Sequence, residues 1–161
     1  MKLSNRNFVF LVLFIGIVVG IAACSKASDF ASVNANAEGI ALHGFDVVAY
    51  FAVDSAVKGN TTYEYAWNGA KWLFANAENL ETFKQDPEAY APQYGGYCSY
   101  AVSKGYTADA DPQAWKIVEG KLFLNYSPDV KEIWEKEQSD NIKKALVNWK
   151  EFKTKKPEYK D

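Results

Sequence analysis

Between Thr61 and Trp67 apolar and polar positions alternate, which puts Tyr63, Tyr65 and Trp67 on one face of a strand. Asn68-Gly69 follows. Both central positions of a tight hairpin turn need positive φ, so this pair predicts a turn and makes Ala70–Phe74 the return strand. The same grammar recurs in Trp115–Val118, Glu119-Gly120 and Lys121–Asn125. Between the hairpins, Asn76 is an N-cap for a helix near 76–85, where Leu80 and Phe83 lie one turn apart and Asp86-Pro87 ends the run. A short helix is expected at Ser99–Lys104, opened by Cys98 and closed by Gly105. Ser127-Pro128 starts a helix with Ile133 and Trp134 inward, and Ile142, Ala145, Leu146, Trp149 and Phe152 then repeat at helical spacing. The apolar run Val47–Phe51 reads as a strand or a short helix. These elements define one small α+β domain, with hairpins at about 61–74 and 115–125 and C-terminal helices at about 128–153.

The first residues follow another pattern. Phe8–Ala23 carries no charge and is preceded by Lys2 and Arg6, the layout of a secretory signal. At 16 residues it is short for a bilayer span of about 20. It ends Ile21-Ala22-Ala23-Cys24, which resembles a bacterial lipobox. Cys24 would then become the first residue of the mature chain and carry the lipid, making the membrane a partner. The alternative is an uncleaved anchor helix. Ser25 stands where an aspartate would favour inner-membrane retention, so the periplasmic face of the outer membrane is expected. The expected organisation is a signal peptide at 1–23, a flexible tether at 24–38, the domain at 39–153 and a charged tail at 154–161. The lysines of the tail read as solvated, or as weak contacts to anionic lipid.

Removing 1–23 takes away Lys2 and Arg6, leaving 16 basic and 20 acidic side chains and a net charge of −4. That excludes the basic surface on which nucleic-acid binding depends. Phosphate loops, dinucleotide fingerprints, serine triads and paired zinc histidines do not occur, which argues against kinase, dehydrogenase and hydrolase chemistry.

Two cysteines and one histidine limit the remaining chemistry. With Cys24 lipidated, Cys98 has no partner for an internal disulfide. It is either buried and inert or kept for its reactivity. Gly95-Gly96 before it allows a tight turn, and exposed N–H groups at the start of the following helix would favour a thiolate. His43 is the only imidazole available to join Cys98, either on a soft ion such as Cu(I) or as an imidazolium beside a thiolate. A turn histidine beside Gly44 is the competing reading. Asp46 could orient that ring or cap a helix, and the hydroxyls of Tyr97 and Tyr100 could bond a thiolate or a ligand.

The segments Asp46–Tyr50 and Lys71–Tyr90 resemble the YHS domain. Leu42–Asp46, Trp67–Trp72, Pro92–Cys98, Ala114–Val118 and Leu122–Tyr126 resemble a longer, exported form of that family, over roughly 39–149. Short YHS domains carry three cysteines and occur in heavy-metal proteins. The resemblance aligns those cysteines with Ala49, Ala75 and Asn79, so that metal site is expected to be missing. Some members of the longer form carry selenocysteine in the segment resembling Tyr97-Cys98, which implies a reactive sulfur at Cys98. Three functions follow. The first is soft-metal binding at Cys98 with or without His43. The second is a thiol redox protein that needs an external or small resolving thiol. The third is a non-catalytic binding module with a tyrosine-rich surface. Metal handling leads because of the family, an enzyme is the less favoured reading, and an inaccessible Cys98 would favour the binding module. Oligomeric state is not set by the sequence.

Overall fold

The computed structural model describes residues 31–160, so the expected signal segment and Cys24 lie outside the described residues. The observed fold is α+β, built on two antiparallel two-stranded sheets with helices packed around them. The first hairpin pairs β1 (Asn60–Trp67) with β2 (Ala70–Phe74). Its turn residues Asn68 and Gly69 have φ of 49° and 79°, the conformation that the sequence requires of them. The second pairs β3 (Asp111–Val118) with β4 (Lys121–Asn125), so it starts earlier than Trp115. An irregularity between Asp111 and Trp115 interrupts the alternation there, which hid the first half of β3 from a pattern reading. Among the described residues no helix is long and apolar enough to cross a membrane.

The helices are α1 (Ala49–Ala52), α2 (Ala77–Gln85), α3 (Pro87–Tyr90), α4 (Ser99–Ser103), α5 (Pro128–Lys136) and α6 (Gln138–Phe152). Asn76 caps α2 by accepting from the Asn79 N–H at 2.8 Å, and Ser127 caps α5 through the Val130 N–H. Asp86 ends α2 and at once caps α3 through the Ala89 N–H. The run Val47–Phe51 resolves as the short helix α1.

β4 divides the interior. Alternate side chains of a strand point to opposite faces, so Leu122 and Leu124 enter one core while Phe123 enters another. The first core gathers Trp72 and Phe74 of β2, Phe83 of α2, and Val47, Val48 and Tyr50. The second holds Tyr94, Tyr97, Val102, Trp134, Ala145 and Phe152. Cys98, Ala101 and Ala108 form a third, small cluster beside it.

One inward assignment is corrected. Ile133 is exposed, because only Trp134 of that pair faces β4. Leu146 is 45% exposed, since α6 buries Ala145 and Phe152 and turns Leu146 toward a surface cleft.

The edges of the domain also differ from the expected boundaries. Residues before Gly39 are packed: Val33 is buried, and the Asn34 N–H donates to Gly95 O at 2.9 Å. At the other end, residues of the charged tail return to the domain. The Thr107 N–H donates to Glu158 O at 2.7 Å, and the Lys160 N–H donates to Thr107 O at 2.8 Å.

Candidate functional site

Three clefts meet the residues that carry candidate chemistry. The largest has a volume of about 540 Å³. Its aromatic walls are Trp67 and Trp72 from the first hairpin, and Tyr94 and Trp149 from the opposite side. Asn68, Glu88, Gln93 and Lys153 add polar groups. The hairpin supplies this wall because Trp67 and Trp72 flank the Asn68-Gly69 turn, with ring centroids 5.9 Å apart, and the Trp72 Nε1–H donates to Trp67 O at 3.0 Å. Trp72 is buried, yet one edge of each borders the cleft. Tyr94 is largely buried, and desolvation pushes its phenol up to about 12.

Tyr94 begins a left-handed turn, Tyr94-Gly95-Gly96, with φ of 55°, 63° and 84°. Glycine is required at 95 on two grounds, its positive φ and a Cβ that would stand 2.0 Å from Ser32 O. That contact brings the chain from Ser32 to the lip of the cleft.

His43 sits in a second left-handed turn, Leu42-His43-Gly44, with φ of 46°, 51° and 77°. Non-glycine residues in this region cost on the order of 1–2 kcal/mol each, so the surroundings must hold them there. Lys58 Nζ donates to His43 O, and His43 Nε2–H donates to Asp109 Oδ1 at 2.9 Å. Asp109 also accepts from Asn34 Nδ2 at 2.7 Å and from the Ala110 N–H. Burial opposes ionisation of Asp109, but the hydrogen bonds from Asn34, His43 and Ala110 outweigh it and hold its carboxyl below the ordinary value. The ring is 44% exposed and lines a shallow cleft of about 310 Å³ with Asp109, Asp111, Pro112 and Tyr126.

Cys98 lies in a third cleft of about 200 Å³, bordered by Tyr100, Tyr106, Tyr126, Val130 and Lys160. It is 1% exposed. As expected it opens α4, and its Sγ accepts from the Ala101 N–H at 3.5 Å. The expected consequence does not follow. Desolvation pushes the thiol pKa up, and the backbone N–H groups that pull it down are the weaker influence. A five-residue helix supplies little dipole against that burial.

His43 and Cys98 therefore line different clefts, with Tyr126 bordering both. The residue that orients His43 is Asp109, 66 positions away, and no spacing rule could have found it. Among the described residues no three His, Cys, Asp or Glu side chains are placed to hold a metal ion. Tyr97 donates its hydroxyl to Ala31 O, and Tyr100 borders the Cys98 cleft.

Asp46 has another role. Fully buried, its Oδ1 accepts from the Val48 and Ala49 N–H groups, at 2.9 and 3.3 Å. Its Oδ2 accepts from the Ala75 N–H at 2.8 Å and from Asn79 Nδ2 at 2.6 Å. Ala49, Ala75 and Asn79 are the three positions aligned with the cysteines of short YHS domains. They converge in space, but on a carboxylate already bonded by four N–H groups. Two of the three side chains have no ligand atom, so this donor set does not fit a soft metal.

The α1–β1–β2–α2–α3 unit that Asp46 ties together is the part of the fold with known relatives. A YHS domain is found at residues 48–94, where the model of that family matches. The match includes Trp67, Trp72 and Tyr94, and leaves His43, Asp46, Cys98 and Asp109 outside. Neither the curated proteins nor the solved structures contain a match.

Proposed function

We propose that this YHS-domain protein is a binding module of the bacterial cell envelope, carried on a lipid at Cys24, that holds a small ligand in its aromatic cleft. The observation that carries the reading is the cleft itself. About 540 Å³ between Trp67, Trp72, Tyr94 and Trp149 is within the range of small-molecule sites, and a few polar groups border it. Indole and phenol rings offer flat apolar contact, while Asn68, Gln93 and Glu88 offer hydrogen bonds that fix orientation.

The state of Cys98 supports this reading over a metal or redox role. A buried thiol with a raised pKa is a weak nucleophile and a weak ligand at neutral pH. A copper-like ion shared with His43 would need both side chains on one ion, whereas His43 and Cys98 line different clefts. Native mass spectra of the full chain with added Cu(I) check this directly. No stoichiometric adduct is expected, and an adduct that disappears in Cys98→Ser would restore the metal reading.

The binding reading is tested by protein-observed NMR with a fragment library on the full chain in detergent. Hits are expected to shift the indole N–H resonances of Trp67 and Trp149 and to be lost in Trp149→Ala. Hits that map instead to the His43 or Cys98 clefts would contradict it.

A further inference from the structure

The chain enters the domain beside α6. Ala31 O accepts from the Tyr97 hydroxyl at 3.1 Å, and the Tyr97 ring packs against Trp149 of α6 with centroids 6.2 Å apart. Ser32 and Val33 then border the aromatic cleft together with Leu146, Trp149 and Lys153. Cys24 stands seven positions before Ala31, at most about 25 Å of fully extended chain. A lipid on Cys24 would keep this side of α6 within that distance of a bilayer.

The outer face of α6 suits such a surface. Lys143, Leu146, Val147 and Lys150 recur at i, i+3, i+4 and i+7, and Lys153, still helical in conformation at the C-cap, extends the stripe. All five are exposed. The acidic residues Asp140 and Glu151 fall on the flank beyond Val147, where Asp140 pairs with Lys144 at 2.7 Å. Three lysines therefore frame two exposed aliphatic side chains, on a chain whose net charge is −2.

We infer that this stripe docks the domain on an anionic phospholipid surface and turns the rim of the aromatic cleft toward the headgroups. The inference rests on the reading that a lipid at Cys24 holds the chain to the membrane. Lysine heads meet lipid phosphates while Leu146 and Val147 enter the headgroup region. Each lysine near an anionic leaflet strengthens binding roughly fivefold, and the attraction fades over about 8–10 Å at physiological salt. The anchor makes docking intramolecular, so a weak contact suffices. Leu146 and Lys153 belong to the stripe and also line the cleft, so docking places the cleft where molecules of the bilayer surface reach it.

The test uses the full chain, extracted from membranes and reassembled into nanodiscs that contain a gadolinium-chelating lipid. Broadening of backbone amide resonances is the readout. One set of discs is phosphatidylcholine, and the other is equal parts phosphatidylcholine and phosphatidylglycerol. Amides of residues 143–153 are expected to broaden roughly threefold or more above their level in phosphatidylcholine, and more than those of any other element. High salt is expected to abolish the difference, as is Lys143→Glu combined with Lys150→Glu, with the rest of the amide spectrum unchanged. Lys143→Gln combined with Lys150→Gln should fall between. Equal broadening in the two discs, the result expected of a stripe that serves a protein partner, would overturn the inference. So would strongest broadening on another element. Intact mass separates the inference from its premise. A chain without diacylglycerol on Cys24 overturns both, whereas a lipidated chain with equal broadening overturns the docking alone.

Discussion

Asp46 Oδ2 lies 2.6 Å from Asn79 Nδ2, across 33 residues of sequence, and this contact ties a residue just before the YHS match to α2 within it. One carboxylate ties the turn before α1, the end of β2 and the first turn of α2. Asp46→Ala would leave the Ala75 N–H and the Asn79 amide without that acceptor. A loss of about 3–4 kcal/mol is expected in urea unfolding, with a smaller loss for Asp46→Asn, which retains one acceptor oxygen. A change below about 1 kcal/mol would contradict the hub role.

Cys98 makes stability depend on alkaline pH. Burial raises the folded thiol above its ordinary value of 9.0, so the unfolded thiol ionises first. Its contribution is therefore fully present below pH 9.0 and is lost as pH rises toward the folded value. Wild type is expected to lose stability relative to Cys98→Ala across that window, as read from urea midpoints in paired titrations. Parallel curves would show that the thiol is solvated.

Asp109 works in the opposite direction. Its folded carboxyl lies below the ordinary 3.8, so its contribution is present above that value and is lost as pH falls through the folded pKa. The pair with His43 is partly exposed, and solvent screening limits Asp109→Asn to a loss of about 0.5–1 kcal/mol at pH 7. The gap between variant and wild type should shrink in acid. The imidazole resonances of His43 should broaden or shift at neutral pH as the ring's partner loses its charge.

Gly95 tests how the early chain is held. In Gly95→Ala the new methyl would meet Ser32 O at a distance no Cβ tolerates, in a backbone conformation that disfavours it. A loss of about 3 kcal/mol or more is expected, with faster hydrogen exchange of the Asn34 amide, which donates to Gly95 O. Unchanged exchange at Asn34 would mean that residues 32–34 dock by other means.

Much of this fold was legible because its signals are local. Asn68-Gly69, Glu119-Gly120, Asn76 and Ser127-Pro128 each specify a turn or a cap within a few residues, and the structure uses each one as expected. The candidate site was less legible because its partners are remote. Asp109 reaches His43 over 66 positions, and Asp46 was considered for His43 but bonds Ala75 and Asn79 instead. The burial of Cys98 depends on Tyr106, Tyr126, Val130 and Lys160, which only the folded chain assembles. The role of Trp67 and Trp149 was hidden for a different reason. Residues that serve a core and border a cleft look like core in any periodicity.

The central claim is that the aromatic cleft, rather than Cys98, is the working site. The most direct measurement follows the indole N–H resonances of the full chain as small ligands are added. Saturable shifts at Trp67 and Trp149 that vanish in Trp149→Ala and persist in Cys98→Ser are the expected result. Binding that survives Trp149→Ala and disappears in Cys98→Ser would contradict the account.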